Sequence, residues 1–546
     1  MNRMDSELSR MAITRHIKRY NALPRKNVSA AVTAVAMLFC IALLIFHEPG
    51  NDEAEAWLIA RNASYRDMIF LIPHYEGHIP LICLTYSIPA KLNLPFKPSV
   101  EFLHLVTDFA AIFVLEFKAP FRNTTLTLLP FTYFFMQTEV LCRPYMLLAL
   151  ALFLAASLHV KRNAHPVRYC AVLALMCVTH LFGIAIAGSI AIAWIIELIT
   201  KERKTSPFTA IRNNIKILLS MTALLVFALS MISLIIPARD ILLGASTDIF
   251  QYMKTLLKII LFLPSEITFT SFIDPAVLIR NVVLTPLEAA VSSVISVAVW
   301  SSFTVYAVRR KKLIQAVLPV VFFALAGAYY MLFHHYAVLY FLGVYIMWIL
   351  EEGDEAQHGY LNYLLLSFSL VMALMWSSVS CYTEISSDYS DGAGLDRWIE
   401  VNSLEDCSFL SGWDVQSPYI ISSAYFVNSL NACAGREVCY NLIDGRTYPF
   451  LKNEDRHSCD DNIRRWSSYG APDFIVTVNG EENLKLMLDR LGISDNDYVL
   501  VYCNVSKVFY KMTYVKSGIM VWMRSDLAGK IDLNESLDDY NEIYGI

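Results

Sequence analysis

The 546-residue sequence is 56% hydrophobic and only 17% charged, and its formal net charge is −5. This composition is typical of a polytopic membrane protein and excludes an ordinary soluble enzyme. The negative net charge argues against a nucleic-acid partner.

The first apolar segment, residues 28–46, carries no charge and is about long enough to cross a bilayer. Residues 1–27 before it are basic, and no convincing signal-peptide cleavage site follows. We therefore interpret this segment as an uncleaved first span of a plasma or inner membrane protein, with its N-terminus in the cytoplasm.

Basic clusters at residues 161–168, 201–204 and 309–312 indicate further cytoplasmic ends. Residues 79–160 contain four candidate crossings, whereas the alternation of sides requires an odd number. We expect the proline-broken segment 79–94 to be re-entrant or interfacial. The other three are 100–118, 124–141 and 144–160. Later apolar segments lie at 169–199 (two short passes), 217–237, 283–308, 313–332, 336–350 and 360–380. The sequence predicts an α-helical polytopic membrane protein with about 11 transmembrane helices.

One outer loop, residues 238–282, contains a segment with helical amphipathicity, residues 249–262. Lys254 and Lys258 lie four residues apart on one face, and the remaining positions are mostly apolar. This pattern favours a helix that lies on the membrane surface, with an ordinary loop helix as the alternative.

After residue 380 the sequence becomes polar, and its apolar runs are short: 419–427, 473–478, 498–502 and 520–523. Together with the helix-like stretch 481–491, they predict a small extracytoplasmic α/β domain over residues 381–546. Residues 28–380 would be the transmembrane module. Six cysteines in this domain favour disulfides, with Cys433–Cys439 as the first candidate pair. Zinc is the alternative, although no Cys-x-x-Cys spacing occurs. The six are Cys381, Cys407, Cys433, Cys439, Cys459 and Cys503.

Four carboxylates lie within eight residues just past the first span. They are Glu48, Asp52, Glu53 and Glu55. Ionisable groups at a bilayer boundary are costly unless they are solvated, paired or used. The simplest alternative is a hydrated loop.

Three further groups would lie at the same outer boundary: residues 74–80 (HYEGHIP), Arg143-Pro144-Tyr145 preceded by Glu139, and His334-His335, with Thr179-His180 nearby. Proline suits the first turn of a helix, which places Arg143 at a positive helix end. A carboxylate can accept the proton of an attacking hydroxyl, and cationic groups can stabilise a departing phosphate. Such residues suit group transfer from a lipid phosphate.

Residues 51–61 (NDEAEAWLIAR) resemble the first-loop motif of GT-C glycosyltransferases. The resemblance is closest to the bacterial branch related to protein O-mannosyltransferases and lipid A aminoarabinose transferases. Residues 75–81 (YEGHIPL) resemble that branch's Glu-Gly-His-Pro-Pro-Leu, with Ile79 in place of the first proline. Arg143-Pro144-Tyr145 resembles its Arg-x-Tyr, and Thr179-His180 a further short His motif. His334-His335 resembles its Arg-His-His-Gly without the flanking arginine. The resemblance covers roughly residues 28–350.

The resemblance implies an inverting transfer of a sugar from a polyprenyl-phosphate donor to a hydroxyl of a glycan, lipid or protein on the outer face. Asp52 would be the general base. Glu53 would be a second acid that orients the acceptor or, with Asp52, a divalent metal; metal dependence stays open. Arg143 would hold the lipid phosphate. The other residues implied to bind donor or phosphate are Arg61, Glu76, His78, Tyr145, His180, His334 and His335.

Three alternatives stay open at this stage. A glycan ligase or polymerase with diphosphate-linked donors would need the same residue types. A transporter or lipid flippase would predict inverted repeats and charged residues near the middle of spans, and neither is evident in the sequence. A non-catalytic glycan-binding membrane protein would not need the acidic pair.

Overall fold

The computed structural model describes residues 14–203, 207–239, 249–269, 285–329, 331, 333–352, 360–386, 391–411, 423–441, 470–478, 484–485, 488–489, 491–493, 497–506 and 517–530. The chain forms two compact units. The first comprises the described residues of 1–42, 104–233 and 245–379. The second comprises those of 43–103, 234–244 and 380–546. The contacts thus group the segment after the first span with the C-terminal residues.

The helices are α1 Arg25–Phe46, α2 Asn51–Asn62, α3 Tyr65–Phe70, α4 Pro73–Glu76, α5 Leu81–Lys91, α6 Phe96–Lys118, α7 Asn123–Leu128, α8 Tyr133–Val140, α9 Tyr145–Leu158, α10 Pro166–Cys177, α11 Leu181–Lys201, α12 Pro207–Leu234, α13 Ile249–Leu261, α14 Leu263–Phe269, α15 Pro286–Arg309, α16 Leu313–Tyr329, α17 Tyr336–Glu351, α18 Tyr360–Ser386, α19 Gly392–Val401 and α20 Ser423–Cys433. Short 3₁₀ turns occur at Leu129–Phe131, Phe333–His335 and Ser525–Lys530.

Five helical segments in the described residues are long and apolar enough to cross a membrane: Arg25–Phe46, Leu181–Lys201, Ile211–Leu234, Pro286–Arg309 and Leu364–Ser386. Four apolar helices of 10–17 residues accompany them: Tyr145–Leu158, Pro166–Cys177, Leu313–Tyr329 and Tyr336–Glu351. The predicted class, a helical polytopic membrane protein, is confirmed. The number of crossings, about 11, stays a prediction.

Residues 124–141, predicted as one crossing, are instead three short pieces. The break follows from Pro130, which has no N–H to continue a helix, and from Thr132, which is extended (φ −79°, ψ 155°). The last piece, α8, has eight residues, so it is only about 12 Å long. All eight are buried. This segment is therefore a core element of the first unit.

Segment 79–94 forms the 11-residue helix α5, which is shorter than a span. Its re-entrant or interfacial placement stays a prediction. Residues 169–199 form two helices, as predicted, and the second of them is long enough to span. The predicted amphipathic helix is present as α13. Its exposed apolar residues recur at helical spacing: Ile249, Phe250, Met253, Leu257 and Ile260. Lys254 is exposed among them.

The C-terminal residues contain a five-stranded sheet, which confirms the predicted α/β domain. The strands are β1 Phe409–Ser411, β2 Cys439–Asn441, β3 Phe474–Val478, β4 Tyr498–Ser506 and β5 Ser517–Arg524, in the order β2-β1-β3-β5-β4. β1 pairs in parallel with β2 and β3, whereas β5 pairs antiparallel with β3 and β4. The described part of run 419–427 begins helix α20 rather than a strand. Most of the stretch 481–491 lies outside the described residues.

The predicted Cys433–Cys439 disulfide is wrong. Neither cysteine forms a disulfide, and the same holds for Cys381, Cys407 and Cys503; Cys459 lies outside the described residues. The loop between α20 and β2 is closed by Asn431 instead. Its side-chain oxygen accepts hydrogen bonds from the backbone N–H groups of Val438 (2.8 Å) and Cys439 (3.1 Å). The side chain of Cys439 is packed in the hydrophobic core of the domain.

Gly392, the first residue of α19, allows a close approach between α19 and α20. A Cβ at this position would lie 2.6 Å from the backbone carbon of Ser429 and closer still to its hydroxyl. We expect Gly392→Ala to lower the free energy of unfolding of this domain by about 1–3 kcal/mol, the usual cost of overpacking. Gly529→Ala, where a Cβ would meet open space, is the matched control. Limited proteolysis of the purified protein measures the difference, and equal resistance of the two variants would contradict the expectation.

Candidate active site

The acidic pair lies in the first turn of helix α2, in the second unit. Gly50 precedes the helix in an extended conformation, and its N–H donates to the Glu53 carboxylate three residues later. Acidic residues in a first turn also interact favourably with the helix dipole. The local sequence therefore explains why the helix starts here.

The four carboxylates of this segment differ in their exposure to solvent. Glu53 and Glu55 are buried, at 2% and 7% exposure, and Glu48 is half-buried. Asp52 is exposed. Of the four, Asp52 is the one best placed to meet a substrate.

His47, which sequence reasoning missed, fixes Glu53. Its Nε2 lies 3.4 Å from a Glu53 oxygen, and its Nδ1 lies 2.6 Å from an oxygen of Glu384, near the end of α18. Burial lowers the pKa of His47, but the charges of Glu53 and Glu384 outweigh this effect and raise the pKa to about 10. His47 is therefore a buried cation between two carboxylates.

Metal binding at the acidic pair stays a prediction, and Glu53 already has hydrogen-bonding partners. One Glu53 oxygen accepts the Gly50 N–H, and the other faces His47. Among the residues that the structure describes, no group of three or more His, Cys, Asp and Glu side chains could hold a metal ion.

The other candidates of the second unit lie elsewhere on its elements. Arg61, in the last turn of α2, donates to the Asn431 carbonyl at 3.5 Å. Burial lowers its pKa, while the charge of Glu437 acts in the opposite direction. Glu76, at the end of α4, and His78, just beyond it, are both half-buried. Their role as donor ligands stays a prediction.

Four predicted residues meet in the first unit, although they are far apart in sequence. We name Tyr145, His180, His334 and His335 the tyrosine–histidine cluster. The Tyr145 ring centroid lies 5.5–5.8 Å from all three imidazoles. His335 lies 5.0 Å from His180 and 4.4 Å from His334. Tyr145, His180 and His335 are buried, and His334 is half-buried.

Three helices begin at this cluster. Tyr145 is the first residue of α9, and His180 and His335 are the N-cap residues of α11 and α17. Helix N-termini carry partial positive charge and orphan N–H donors. Three such ends at one place form a favourable environment for an anion.

Two features of the cluster favour the binding of a negatively charged ligand. The Nδ1 of His180 accepts the Phe182 N–H at 3.4 Å, so the proton of the neutral ring is on Nε2, the nitrogen that can donate to an anion. His180 also stacks on Phe182 at 5.1 Å, and Phe182 contacts Phe323. These aromatic walls lower the local dielectric constant and strengthen electrostatic interactions inside the cluster.

Arg143 lies two residues before helix α9, because Pro144 is the N-cap residue. The Arg143 N–H donates to the Leu141 carbonyl at 2.6 Å, and the residue is half-buried. A guanidinium at the positive end of a helix is an unfavourable neighbour by about 0.3–1 kcal/mol. A bound anion would offset this cost.

The same helices end together at a basic region of the first unit. Arg162, just beyond α9, pairs with Glu197 near the end of α11, and Glu197 accepts a hydrogen bond from Gln315 at 2.8 Å. Lys312 donates to the Ile349 carbonyl near the end of α17. The basic clusters of residues 161–168 and 309–312 therefore share one end of the unit, as the sequence predicts.

Glu139, predicted near Arg143, belongs to a different group in the first unit. It hydrogen-bonds with Cys40 and interacts with Asp108. Asp108, near the middle of α6, lies 3.4 Å from His104. All three ionisable groups are buried. An ionisable side chain is thus buried near the middle of α6.

Comparisons with known proteins find similarity only among solved structures. No protein-family model matches the sequence, and no curated protein matches it either. Among solved structures, the chain is similar to ArnT from Cupriavidus metallidurans bound to undecaprenyl phosphate. The TM-score is 0.43 at 12% identity, and the similarity covers 90% of this chain and 97% of that one.

The buried His47 cation predicts a pH-dependent stability. The pKa rises from about 6.5 in the unfolded chain to about 10 in the folded protein. The stabilisation is therefore complete below about pH 6.5 and is lost as the pH rises through about 10. We expect the unfolding temperature to fall over this range more steeply in the wild type than in His47→Gln.

His47→Gln should also lower the free energy of unfolding by about 3–5 kcal/mol at neutral pH, because it leaves two buried carboxylates without a counter-charge. His165→Gln changes an exposed histidine and serves as the control. If the unfolding temperatures of wild type and His47→Gln fall by the same amount across this pH range, the ion cluster is refuted.

Proposed function

We propose that this protein is an inverting membrane glycosyltransferase of the GT-C type that transfers a sugar from a polyprenyl-phosphate donor to a hydroxyl acceptor. The observation that carries the proposal is the tyrosine–histidine cluster at three helix N-termini. Arg143 precedes Tyr145 of this cluster by two residues. Few ligands other than a phosphate or a similar anion suit such a concentration of positive ends, imidazoles and guanidinium.

The donor's phosphate is proposed to bind at the cluster. Arg143 supplies a planar fork of donors that matches two phosphate oxygens. The His180 Nε2–H and the backbone N–H groups at the helix starts supply further donors. As the bond between the anomeric carbon and the phosphate oxygen breaks, negative charge grows on the leaving phosphate, and these fixed donors stabilise it.

Asp52 is proposed as the general base. The acceptor hydroxyl attacks the anomeric carbon from the face opposite the phosphate, which inverts the configuration. Its proton passes to the Asp52 carboxylate as the new carbon–oxygen bond forms. The exposure of Asp52 supports this assignment, whereas Glu53 is occupied by His47 and Gly50. Glu53 thus supports the loop rather than the chemistry.

The proposed orientation places the cluster and Asp52 on the outer face of the membrane and the N-terminus in the cytoplasm. It is supported by the basic residues gathered where α9, α11 and α17 end, since basic residues favour the cytoplasmic side. The C-terminal domain would then be extracytoplasmic, where glycan, lipid or protein acceptors are accessible.

A transporter is the second candidate, because His104, Asp108 and Glu139 are ionisable residues buried inside the first unit. Ionisable residues in spans often mark ion or proton pathways. A diphosphate-linked donor is a variant of the main proposal, since the cluster would bind either kind of phosphate. A transporter would have no need of Asp52 as a base.

Asp52→Asn keeps the size and polarity of the side chain but removes its basicity. We expect sugar transfer to fall by about 10²–10⁴-fold, the usual contribution of a general base. The measurement is transfer of radiolabelled sugar from polyprenyl-phosphate hexoses to native membrane material. Asp67→Asn, in the nearby helix α3, is the control. Near-normal transfer by Asp52→Asn would exclude the proposed mechanism.

Arg143→Lys keeps the charge but loses the bidentate geometry. We expect the affinity for undecaprenyl phosphate to weaken about tenfold, which corresponds to about 1.4 kcal/mol for one charge-assisted hydrogen bond. Native mass spectrometry of purified protein titrated with the lipid measures this. Arg168→Lys, at the basic end of the first unit, should bind like wild type. If both variants bind equally well, Arg143 only anchors its helix.

A further inference from the structure

The four residues before Asn51 make unusually specific contacts within the second unit. His47 faces Glu384 and Glu53, and the Gly50 N–H donates to Glu53, as described above. The Pro49 carbonyl accepts a hydrogen bond from the Ser429 hydroxyl of α20 at 3.4 Å. The fourth residue, Glu48, contacts the start of helix α19.

Glu48 caps a helix that lies 343 residues later in the sequence. One carboxylate oxygen accepts the Asp391 N–H at 2.6 Å, and the other accepts the Ala393 N–H at 3.3 Å. These N–H groups belong to the N-cap residue of α19 and to its second residue. A side chain at the N-cap position normally binds such donors. Here a carboxylate from the first loop does so.

The residue at the N-cap position of α19 cannot perform this role itself. Asp391 has a left-handed conformation (φ 51°) and makes no side-chain cap hydrogen bond. Its carboxylate accepts the Tyr502 hydroxyl of strand β4 instead. Glu48 thus supplies both the hydrogen-bond acceptors and the negative charge that the start of α19 favours.

We propose that Glu48 is a positioning residue for Asp52, which ties the start of helix α2 to the C-terminal domain through the N-terminus of α19. This inference rests on the proposed function of Asp52. Asp52 follows Glu48 by four residues and is the second residue of α2. The end of α2 is also tied to the domain, because Arg61 donates to the Asn431 carbonyl. Fixing both ends of the helix determines where the Asp52 carboxylate lies.

A purely stabilising cap and a positioning residue predict different results. If Glu48 only stabilises α19, its loss loosens residues 391–401 and leaves the first loop unchanged. If Glu48 positions the loop, its removal also speeds hydrogen exchange in residues 50–62 and slows the chemical step. A displacement of about 1 Å in a catalytic group can cost about 100-fold in rate.

The test compares Glu48→Gln with Glu400→Gln, which changes an exposed carboxylate at the opposite end of α19. Hydrogen exchange of the purified full-length protein is measured together with kcat and KM for a polyprenyl-phosphate hexose. We expect faster exchange in both 50–62 and 391–401 for Glu48→Gln, and kcat lowered about 10- to 100-fold with KM within twofold. Glu400→Gln should behave like wild type in the first loop and in kcat.

Faster exchange confined to residues 391–401, with kcat within twofold of wild type, would overturn the proposal. The same holds if exchange is unchanged in both segments. Because exchange is measured without substrate, its outcome does not depend on the proposed function. If Asp52→Asn keeps its activity, the glycosyltransferase mechanism fails even where the exchange result supports the tie between the two segments.

Discussion

Three helices that begin at one place create the electrostatic constraint on which the candidate site depends. The N-termini of α9, α11 and α17 carry charge of the same sign, so their meeting is unfavourable without a compensating anion. The helices run in the same direction, and basic side chains occupy the region where they end. Cations there interact favourably with the negative helix ends. A site for an anion at one end and a basic surface at the other thus follow from one packing arrangement.

In the second unit the constraint is different, because one exposed carboxylate, that of Asp52, has to be held in place. A short loop has many conformations, and ordering each residue costs about 1–2 kcal/mol. Here His47, Pro49 and Gly50 each have a partner on a helix of the same unit. The C-terminal residues therefore contribute to the candidate site without supplying a proposed catalytic group. This explains why their sequence need not match any catalytic motif.

Local signals account for what could be predicted from the sequence. The boundaries of most apolar helices were predicted within a few residues, because apolar length and flanking charges are local features. Tyr145, His180 and His335 lie at helix starts, and only Pro144 gives a local sign of this. The break in residues 124–141 could have been anticipated from Pro130, but the apolar composition on either side favoured one span. Strands β1 and β2 have three residues each, which is too short for an alternation pattern.

Contacts between distant segments account for what could not be predicted. Nothing in the sequence near His47 indicates Glu384, and nothing near Glu48 indicates the start of α19. Both pairings depend on packing over more than 330 positions. The disulfide prediction failed for a related reason. The disulfide was expected because the number of cysteines is even. The loop is closed instead by the side-chain oxygen of Asn431, which a count of cysteines cannot indicate.

Helix α6 has a consequence for the assembly of the protein in the membrane. By length its 23 residues could span a bilayer, but α6 is not among the five helices of the described residues that are apolar enough to cross one. Asp108 near its middle would cost about 2.5–3.5 kcal/mol on insertion as an isolated segment. Its partners lie on other segments: Cys40 on α1 interacts with Asp108, and the Thr138 carbonyl on α8 accepts a hydrogen bond from His104 at 2.8 Å. Stable insertion of α6 is therefore coupled to its packing against α1, which is synthesised before it, and α8, which is synthesised after it.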